Sequence, residues 1–219
     1  MKISHAFFDL DGTLTDSSPG IVNSIKYALE QMGITENDEQ KLISFVGPSL
    51  QNTFKNNYFS KEVDHQQAIK HYRTYFASKG IFENSLYSGA LELLETVKAQ
   101  NVKIALATAK PTYFANIILN HFDIAAYFDV VVGSHLNGSR TDKKEIIYEA
   151  KDQLGLPKSE HCVMIGDREY DINGGKHHSM NTIGVSYGYA KENELQRADP
   201  DFIVHEPLDI ASAMQIQLV

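Results

Sequence analysis

The sequence predicts an α/β fold: a doubly wound, mostly parallel sheet with an α-helical cap domain inserted near its start. Three observations carry this expectation. Apolar segments at residues 3–8, 102–107, 129–132, 162–165, 182–186 and 201–204 include nearly continuous runs rather than alternating ones, as in strands covered on both faces. Helical periodicity fills intervals between them, and alternating strands and helices point to a parallel sheet. The first interval is the exception, because about 90 residues separate Asp11 from Val102 where one crossover needs about a dozen plus its turns.

Each element has a local cause. The first strand, with Ile3, Ala6, Phe7 and Phe8, runs into Asp9-Leu10-Asp11-Gly12-Thr13-Leu14-Thr15-Asp16. A helix then starts at Ser18-Pro19, since proline in a first turn sacrifices no hydrogen bond. Ile21, Ile25, Ala28, Leu29 and Met32 form its apolar stripe, and Gly33 ends it. A second stripe, Ala68, Tyr72, Tyr75 and Phe76, ends at Gly80. These helices place a small cap at residues 17–87 between core segments 1–16 and 88–219, with hinges near Asp16 and Ser88. The Gly47-Pro48 pair is the clearest break within the cap. Beyond it, Ala90, Leu91, Leu94 and Val97 mark the helix before the second strand. Ile146, Ile147, Ala150 and Leu154 mark the helix before the fourth, which opens with a capping-box pattern at Asp142 and Glu145.

Composition narrows the function. With 42% hydrophobic and 22% charged residues among 219, the chain is not natively unfolded. Twenty-eight acidic residues against 20 basic ones give a formal charge of −8, a field that repels polyanions and argues against nucleic acid as the partner. The longest apolar run, Ile124-Ala125-Ala126-Tyr127-Phe128, is far short of the roughly 18 residues of a membrane span. Asp9 and Asp11 interrupt the place where the apolar stretch of a signal peptide would run, so a cytoplasmic location is expected. The single cysteine, Cys162, closes no intrachain disulfide, and its neighbours Val163, Met164 and Ile165 predict a buried, inert thiol.

Ligands of open α/β sheets bind beyond the carboxyl ends of the strands, and those positions are polar here. The second strand is followed by Thr108-Ala109-Lys110-Pro111, the third by a loop reaching Arg140-Thr141-Asp142-Lys143-Lys144, and the fourth by Gly166-Asp167-Arg168-Glu169-Tyr170-Asp171. Asp9 and Asp11, two apart on extended chain, point to the same side. With Asp167 and Asp171 they gather four carboxylates that repel one another unless a cation or proton intervenes. Oxygen donors alone favour a hard divalent ion, and a site that keeps waters favours Mg²⁺. A phosphate-bearing substrate would add negative charge and call for a lysine. Lys143, in preference to Lys144, is expected there, although a cation in the first turn of a helix opposes its dipole. The Thr108 hydroxyl adds a neutral donor for a phosphoryl oxygen.

Asp9-Leu10-Asp11-Gly12-Thr13-Leu14, then Thr108, Lys143 and Gly166-Asp167 with Asp171, resembles the haloacid dehalogenase superfamily across essentially the whole chain. Its closest likeness is to the capped phosphoglycolate phosphatase-like hydrolases, which have a Rossmann-like core; Ala109 stands where many relatives have Asn or Ser. The resemblance implies a phosphate monoester hydrolase acting on a small soluble metabolite, phosphoglycolate-like or a nucleoside monophosphate as for a 5′-nucleotidase. Asp9 would be the nucleophile and form an aspartyl-phosphate, and Asp11 the general acid and base. Mg²⁺ would be held by Asp9, the backbone carbonyl of Asp11 and Asp167, with Asp171 supporting. Thr108, Lys143 and amides near Leu10 and Gly12 would grip the phosphoryl oxygens, and Ala109, Lys110 and Gly47 would line the substrate. The second Asp sets the chain apart from the dehalogenases. A sugar phosphomutase similar to β-phosphoglucomutase is the alternative within the enzymes, and a phospho-Asp signalling switch is the alternative outside them.

Other features have plainer readings. Residues 133–140 lack the lysine of a phosphate loop and are expected to be a polar turn. His177-His178 has no partner at metal-ligand spacing, and Lys70, His71 and Arg73 suit a solvated helix face. The segment Phe45-Val46-Gly47-Pro48-Ser49-Leu50 fits either a structural turn or a loop over the substrate. Lys110 either contacts the substrate's second group or faces solvent.

Overall fold

A computed structural model describes residues 3–47, 50–156, 158 and 161–215. The chain divides into two compact units, one of residues 1–16 and 86–219 and the other of residues 17–85, so Leu86 and Tyr87 belong with the first. In chain order, β1 (His5–Phe8) and β2 (Thr15–Asp16) lead to the helices of the second unit: α1 (Ser18–Gln31), α2 (Glu39–Ile43), α3 (Leu50–Asn57) and α4 (Glu62–Tyr75). A π-helical turn, Phe76–Gly80, extends α4, and β3 (Ser85–Leu86) follows. The first unit continues with α5 (Ala90–Ala99), β4 (Lys103–Pro111), α6 (Thr112–His121), β5 (Val130–Ser134), α7 (Lys143–Gln153) and β6 (Cys162–Gly166). It closes with α8 (Glu169–His177), β7 (Asn181–Val185), α9 (Glu194–Ala198), β8 (Phe202–Val204) and α10 (Asp209–Ala213).

The six main strands form one parallel sheet in the order β5-β4-β1-β6-β7-β8. Ala6, Phe7 and Phe8 are all fully buried although successive side chains point to opposite faces, so β1 is covered on both sides. On one face Phe7, Ala105, Ala107, Val132 and Met164 pack with Ile146, Ile147 and Ala150 of α7. Cys162 belongs to this cluster, and burial pushes its thiol up to about 11, which suppresses the reactive thiolate. No helix among the described residues is long and apolar enough to cross a membrane.

In the second unit Ile21, Ile25, Ala28 and Leu29 of α1 are buried, as are Ala68 and Tyr72 of α4 and Phe76 of the π turn. Tyr27 and Tyr75 meet across these elements in a tilted pair, with ring centroids 5.4 Å apart and planes at 36°. Glu83 ties the unit together, accepting from Asn23 Nδ2 and from the Tyr75 hydroxyl, both at 2.9 Å.

At the amino ends of β4 and β5, Asp129 accepts from Lys98 Nζ (2.7 Å), Lys103 Nζ (2.8 Å) and the Ile104 N–H (2.9 Å). Burial alone would raise this carboxyl, but the bonds from Lys103, Lys98 and Ile104 outweigh it and hold it down at about 2. Because the folded value lies below the ordinary one near 3.9, the clamp contributes stability above about pH 4 and loses it as pH falls toward 2. Asp129→Asn is therefore expected to flatten the acid limb. Urea midpoints should drop less steeply between pH 4 and pH 2 in the variant than in the parent, and parallel slopes would refute the clamp.

Candidate active site

Strand register brings the polar strand ends together. Phe8 lies opposite Leu106 on one side and Ile165 on the other, so Asp9, Thr108 and Gly166-Asp167 emerge from three adjoining strands at the same edge. The sheet order reverses here, since the chain moves from β1 to β4 and β5 on one side and later to β6, β7 and β8 on the other. The Asp9 N–H donates to Ile165 O at 2.9 Å, which fixes the first carboxylate at the central strand end.

Beyond Asp9 the backbone folds around one carbonyl: the N–H groups of Thr13, Leu14 and Thr15 all donate to Leu10 O, at 3.2, 2.9 and 3.0 Å. Gly12 has φ +81, and a Cβ there would lie 2.3 Å from Asp167 Oδ2 and 2.7 Å from the Tyr189 ring. Only glycine fits this close approach. Of the loop amides near Leu10 and Gly12 expected to grip a phosphoryl oxygen, that of Gly12 donates to Thr15 O at 2.8 Å inside the turn.

Lys143 enters from the first turn of α7 and is buried, with Nζ 3.1 Å from Asp9 Oδ1, 2.6 Å from Asp171 Oδ1 and 2.9 Å from Ala107 O, to which it donates. Burial alone would lower its pKa, but the charges of Asp171 and Asp9 outweigh that and raise it, so it stays an ammonium. Lys144 is exposed. At the helix start Asp142 accepts from the Lys144 N–H at 2.8 Å. Thr108 is buried, and its hydroxyl oxygen accepts the Lys110 N–H at 3.2 Å across the half-buried Ala109. Lys110 is no solvent-facing lysine: it is buried, with Nζ 3.0 Å from Asp11 Oδ2.

Asp9, Asp167 and Asp171 each place a carboxylate oxygen within 4.8 Å of the other two. Asp171 thus completes the triad, while the Asp11 carboxylate turns to Lys110. Asp167 is fully buried, its Oδ2 accepts the Tyr189 N–H at 2.7 Å, and its Oδ1 is buried with no hydrogen-bond partner among the described residues. Burial, then the charges of Asp171 and Asp9, raises the Asp167 carboxyl well above its ordinary value. Burial likewise pushes Asp171 up to about 6 against the pull of Lys143. With all four carboxylates ionised, two lysines would leave a formal excess of two negative charges, and the raised Asp167 and Asp171 carboxyls reflect that crowding. An all-oxygen set with an orphaned buried acceptor and this excess fits a hard divalent cation.

Some residues that shape the site carried no role in the sequence reading. The Tyr189 hydroxyl donates to Asp16 Oδ1 at 2.7 Å and the Tyr187 hydroxyl to Thr13 O at 2.8 Å. Both follow β7, and their position past a strand end was the available signal. Gly47 belongs to the second unit, where it is exposed with φ +103; Pro48 and Ser49 lie outside the described residues. Of residues 133–140, expected to be a polar turn, Gly133 and Ser134 are buried at the end of β5, and the turn follows them, with the His135 N–H donating to Ser139 O at 2.9 Å. His178 Nε2 sits 2.8 Å from Lys144 O, and neither it nor His177 joins a metal-competent group among the described residues. Lys70 and Arg73 are exposed.

Proteins of similar sequence and fold are known. The family model of the haloacid dehalogenase-like hydrolases matches residues 6–185. A 5′-nucleotidase from Pseudomonas aeruginosa is 39% identical over 216 residues, covering 99% of this chain and 96% of that protein. The tyrosine-protein kinase PtkA of Mycobacterium tuberculosis is 34% identical over 198 residues, 90% of this chain and 67% of that one. Among solved structures, a predicted phosphatase from Clostridium acetobutylicum superposes with a TM-score of 0.92 at 40% identity, covering 98% of this chain and 99% of the other.

Proposed function

The chain belongs to the haloacid dehalogenase-like hydrolases, and on that premise we propose that it is a Mg²⁺-dependent phosphate monoester hydrolase working through an aspartyl-phosphate. The observation that carries the reading is the differing surroundings of two carboxylates two residues apart. Asp9 faces Lys143 beside Asp167 and Asp171, and Asp11 faces Lys110. In the first step an Asp9 oxygen attacks phosphorus as the ester P–O bond breaks, and Asp11 gives the leaving oxygen its proton. In the second step Asp11 takes a proton from water as the water oxygen attacks phosphorus, the bond to Asp9 breaks, and inorganic phosphate is released.

Lys143 and the Thr108 hydroxyl hold the phosphoryl oxygens, so charge developing in each displacement meets donors already in place. Asp9, Asp167 and the backbone carbonyl of Asp11, with Asp171 in support, would hold a Mg²⁺ ion, whose positive charge would offset the phosphate dianion. The substrate we propose is a small soluble phosphometabolite, a nucleoside monophosphate or a phosphoglycolate-like ester. The likeness to the Pseudomonas aeruginosa 5′-nucleotidase supports the former, and the Asp9-Leu10-Asp11-Gly12-Thr13-Leu14 and Thr108-Ala109-Lys110-Pro111 motifs support the latter.

The test is inorganic phosphate release from a panel of monoesters with Mg²⁺ and with chelator. Metal-dependent release supports the hydrolase, whereas isomerised sugar phosphate without release points to a phosphomutase, and one labelling event per chain without turnover points to a phospho-switch. A variant probes the second lysine. Lys110→Ala is expected to raise KM about tenfold for esters carrying a further anionic group, the value of one charge-assisted hydrogen bond. An unchanged KM across the panel would confine Lys110 to its pairing with Asp11.

A further inference from the structure

The acidic cluster is held from outside by a segment that follows β7, residues 186–194. Glu194 is its fixed point: it is 3% exposed, and its Oε1 accepts from Arg168 Nε at 2.7 Å and from the Glu169 N–H at 3.0 Å. Its Oε2 accepts the Lys191 N–H at 3.0 Å. One carboxylate thus bridges the turn after β6 and the segment after β7. Each bridged piece delivers a backbone donor to the cluster. The Arg168 N–H donates to Asp171 Oδ2 at 3.1 Å, and the Tyr189 N–H to Asp167 Oδ2 at 2.7 Å. The segment lies tight against the cluster, since a Cβ on Gly188 would fall 2.4 Å from Asp167 Cβ and 2.3 Å from Gly12 O.

We propose that Glu194 is a positioning residue for the divalent-cation site, setting the spacing of Asp167 and Asp171 by tying Arg168 and Glu169 to the segment that carries Tyr189. Glu194 does not touch the cluster. It acts through two backbone N–H groups that each hold one oxygen of a carboxylate and leave Asp167 Oδ1, which has no hydrogen-bond partner among the described residues, available to a cation. The arrangement parallels the general rule that groups orienting metal ligands set metal affinity, and their removal costs about 10- to 100-fold. The buried ion pair with Arg168 is suited to this, because it has one geometry, whereas an apolar contact of similar size permits several.

The proposal depends on the metal-site reading, and its test separates the two. Mg²⁺ binding to the whole protein is titrated by calorimetry without substrate, alongside the melting temperature in chelator, for the parent, Glu194→Gln and Arg168→Lys. Glu194→Gln keeps shape and loses the second acceptor and the charge; the dissociation constant for Mg²⁺ is expected to rise about tenfold. Arg168→Lys, which keeps the positive charge but loses the Nε contact, is expected to raise it less. A purely structural Glu194 would lower the melting temperature in chelator and leave Mg²⁺ affinity within twofold of the parent, which overturns the proposal. Should Glu194→Gln not fold, Arg168→Lys decides by the same twofold limit. A parent that binds no Mg²⁺ overturns the metal-site reading and this proposal together, whereas parental binding unchanged by either variant overturns this proposal alone.

Discussion

Asp9→Asn is expected to lower phosphate release by about four orders of magnitude or more, the scale of losing a nucleophile whose covalent step has no substitute in the site. Asparagine keeps the size of the side chain, and the Asp9 N–H bond to Ile165 O belongs to the backbone, so the strand end stays in place. The substitution also removes one of four crowded carboxylates. Loss of the Asp9 contact with Lys143 offsets that relief, so the variant's melting temperature in chelator should stay close to the parent's even as turnover vanishes. A folded variant with parental turnover would remove Asp9 from the chemistry and move the bond-making step elsewhere.

Lys143→Met is expected to harm both activity and stability. The ammonium lies between Asp9 and Asp171 at 3.1 and 2.6 Å and donates to Ala107 O. Methionine fills the space and returns none of this. Breaking a buried ion pair from one side costs about 3–5 kcal/mol, because the partner carboxylates stay buried and uncompensated. Urea unfolding in chelator measures that loss, and adding Mg²⁺ should recover part of it, since the cation supplies charge to the same carboxylates. Turnover should fall about 10³-fold with the donor to the phosphoryl oxygens gone. Unchanged stability in chelator would mean that Asp9 and Asp171 are not held by this lysine.

Much of the architecture was legible because burial leaves a mark on residue type. Apolar runs such as Ile104-Ala105-Leu106-Ala107 and Cys162-Val163-Met164-Ile165 lie within β4 and β6, whose neighbours cover both faces. The strand-end rule directed attention to Asp9, Thr108 and Asp167, and register places them at one sheet edge. What stayed hidden depends on backbone or distant partners. Tyr189 serves Asp167 through its N–H, which every residue but proline has, so no residue type announces it. The 26-residue separation of Arg168 and Glu194 defeats local patterning. The Gly12 amide looked like a donor to substrate because its internal acceptor, Thr15 O, appears only once the turn closes. Sequence favours a substrate contact for Lys110 over a solvated position only slightly, and its pairing with Asp11 emerges once β4 is seen to run on to Pro111.

The position of β1 in the sheet has a consequence during synthesis. It pairs along its whole length with Lys103, Ile104, Ala105 and Leu106 and with Cys162, Val163, Met164 and Ile165. A ribosome adding about 5–20 residues per second delivers the second of these partners roughly 8–30 seconds after β1 itself. Through that interval Ala6, Phe7 and Phe8 have no completed sheet to enter, while the helices of residues 17–85, contiguous in sequence, can already collapse on one another. The nascent chain therefore carries an unpaired apolar strand ahead of a folded helical unit, a natural target for chaperones that bind extended apolar segments. Completion of the sheet waits for β6, so truncation anywhere before Cys162 leaves the central strand with one edge open.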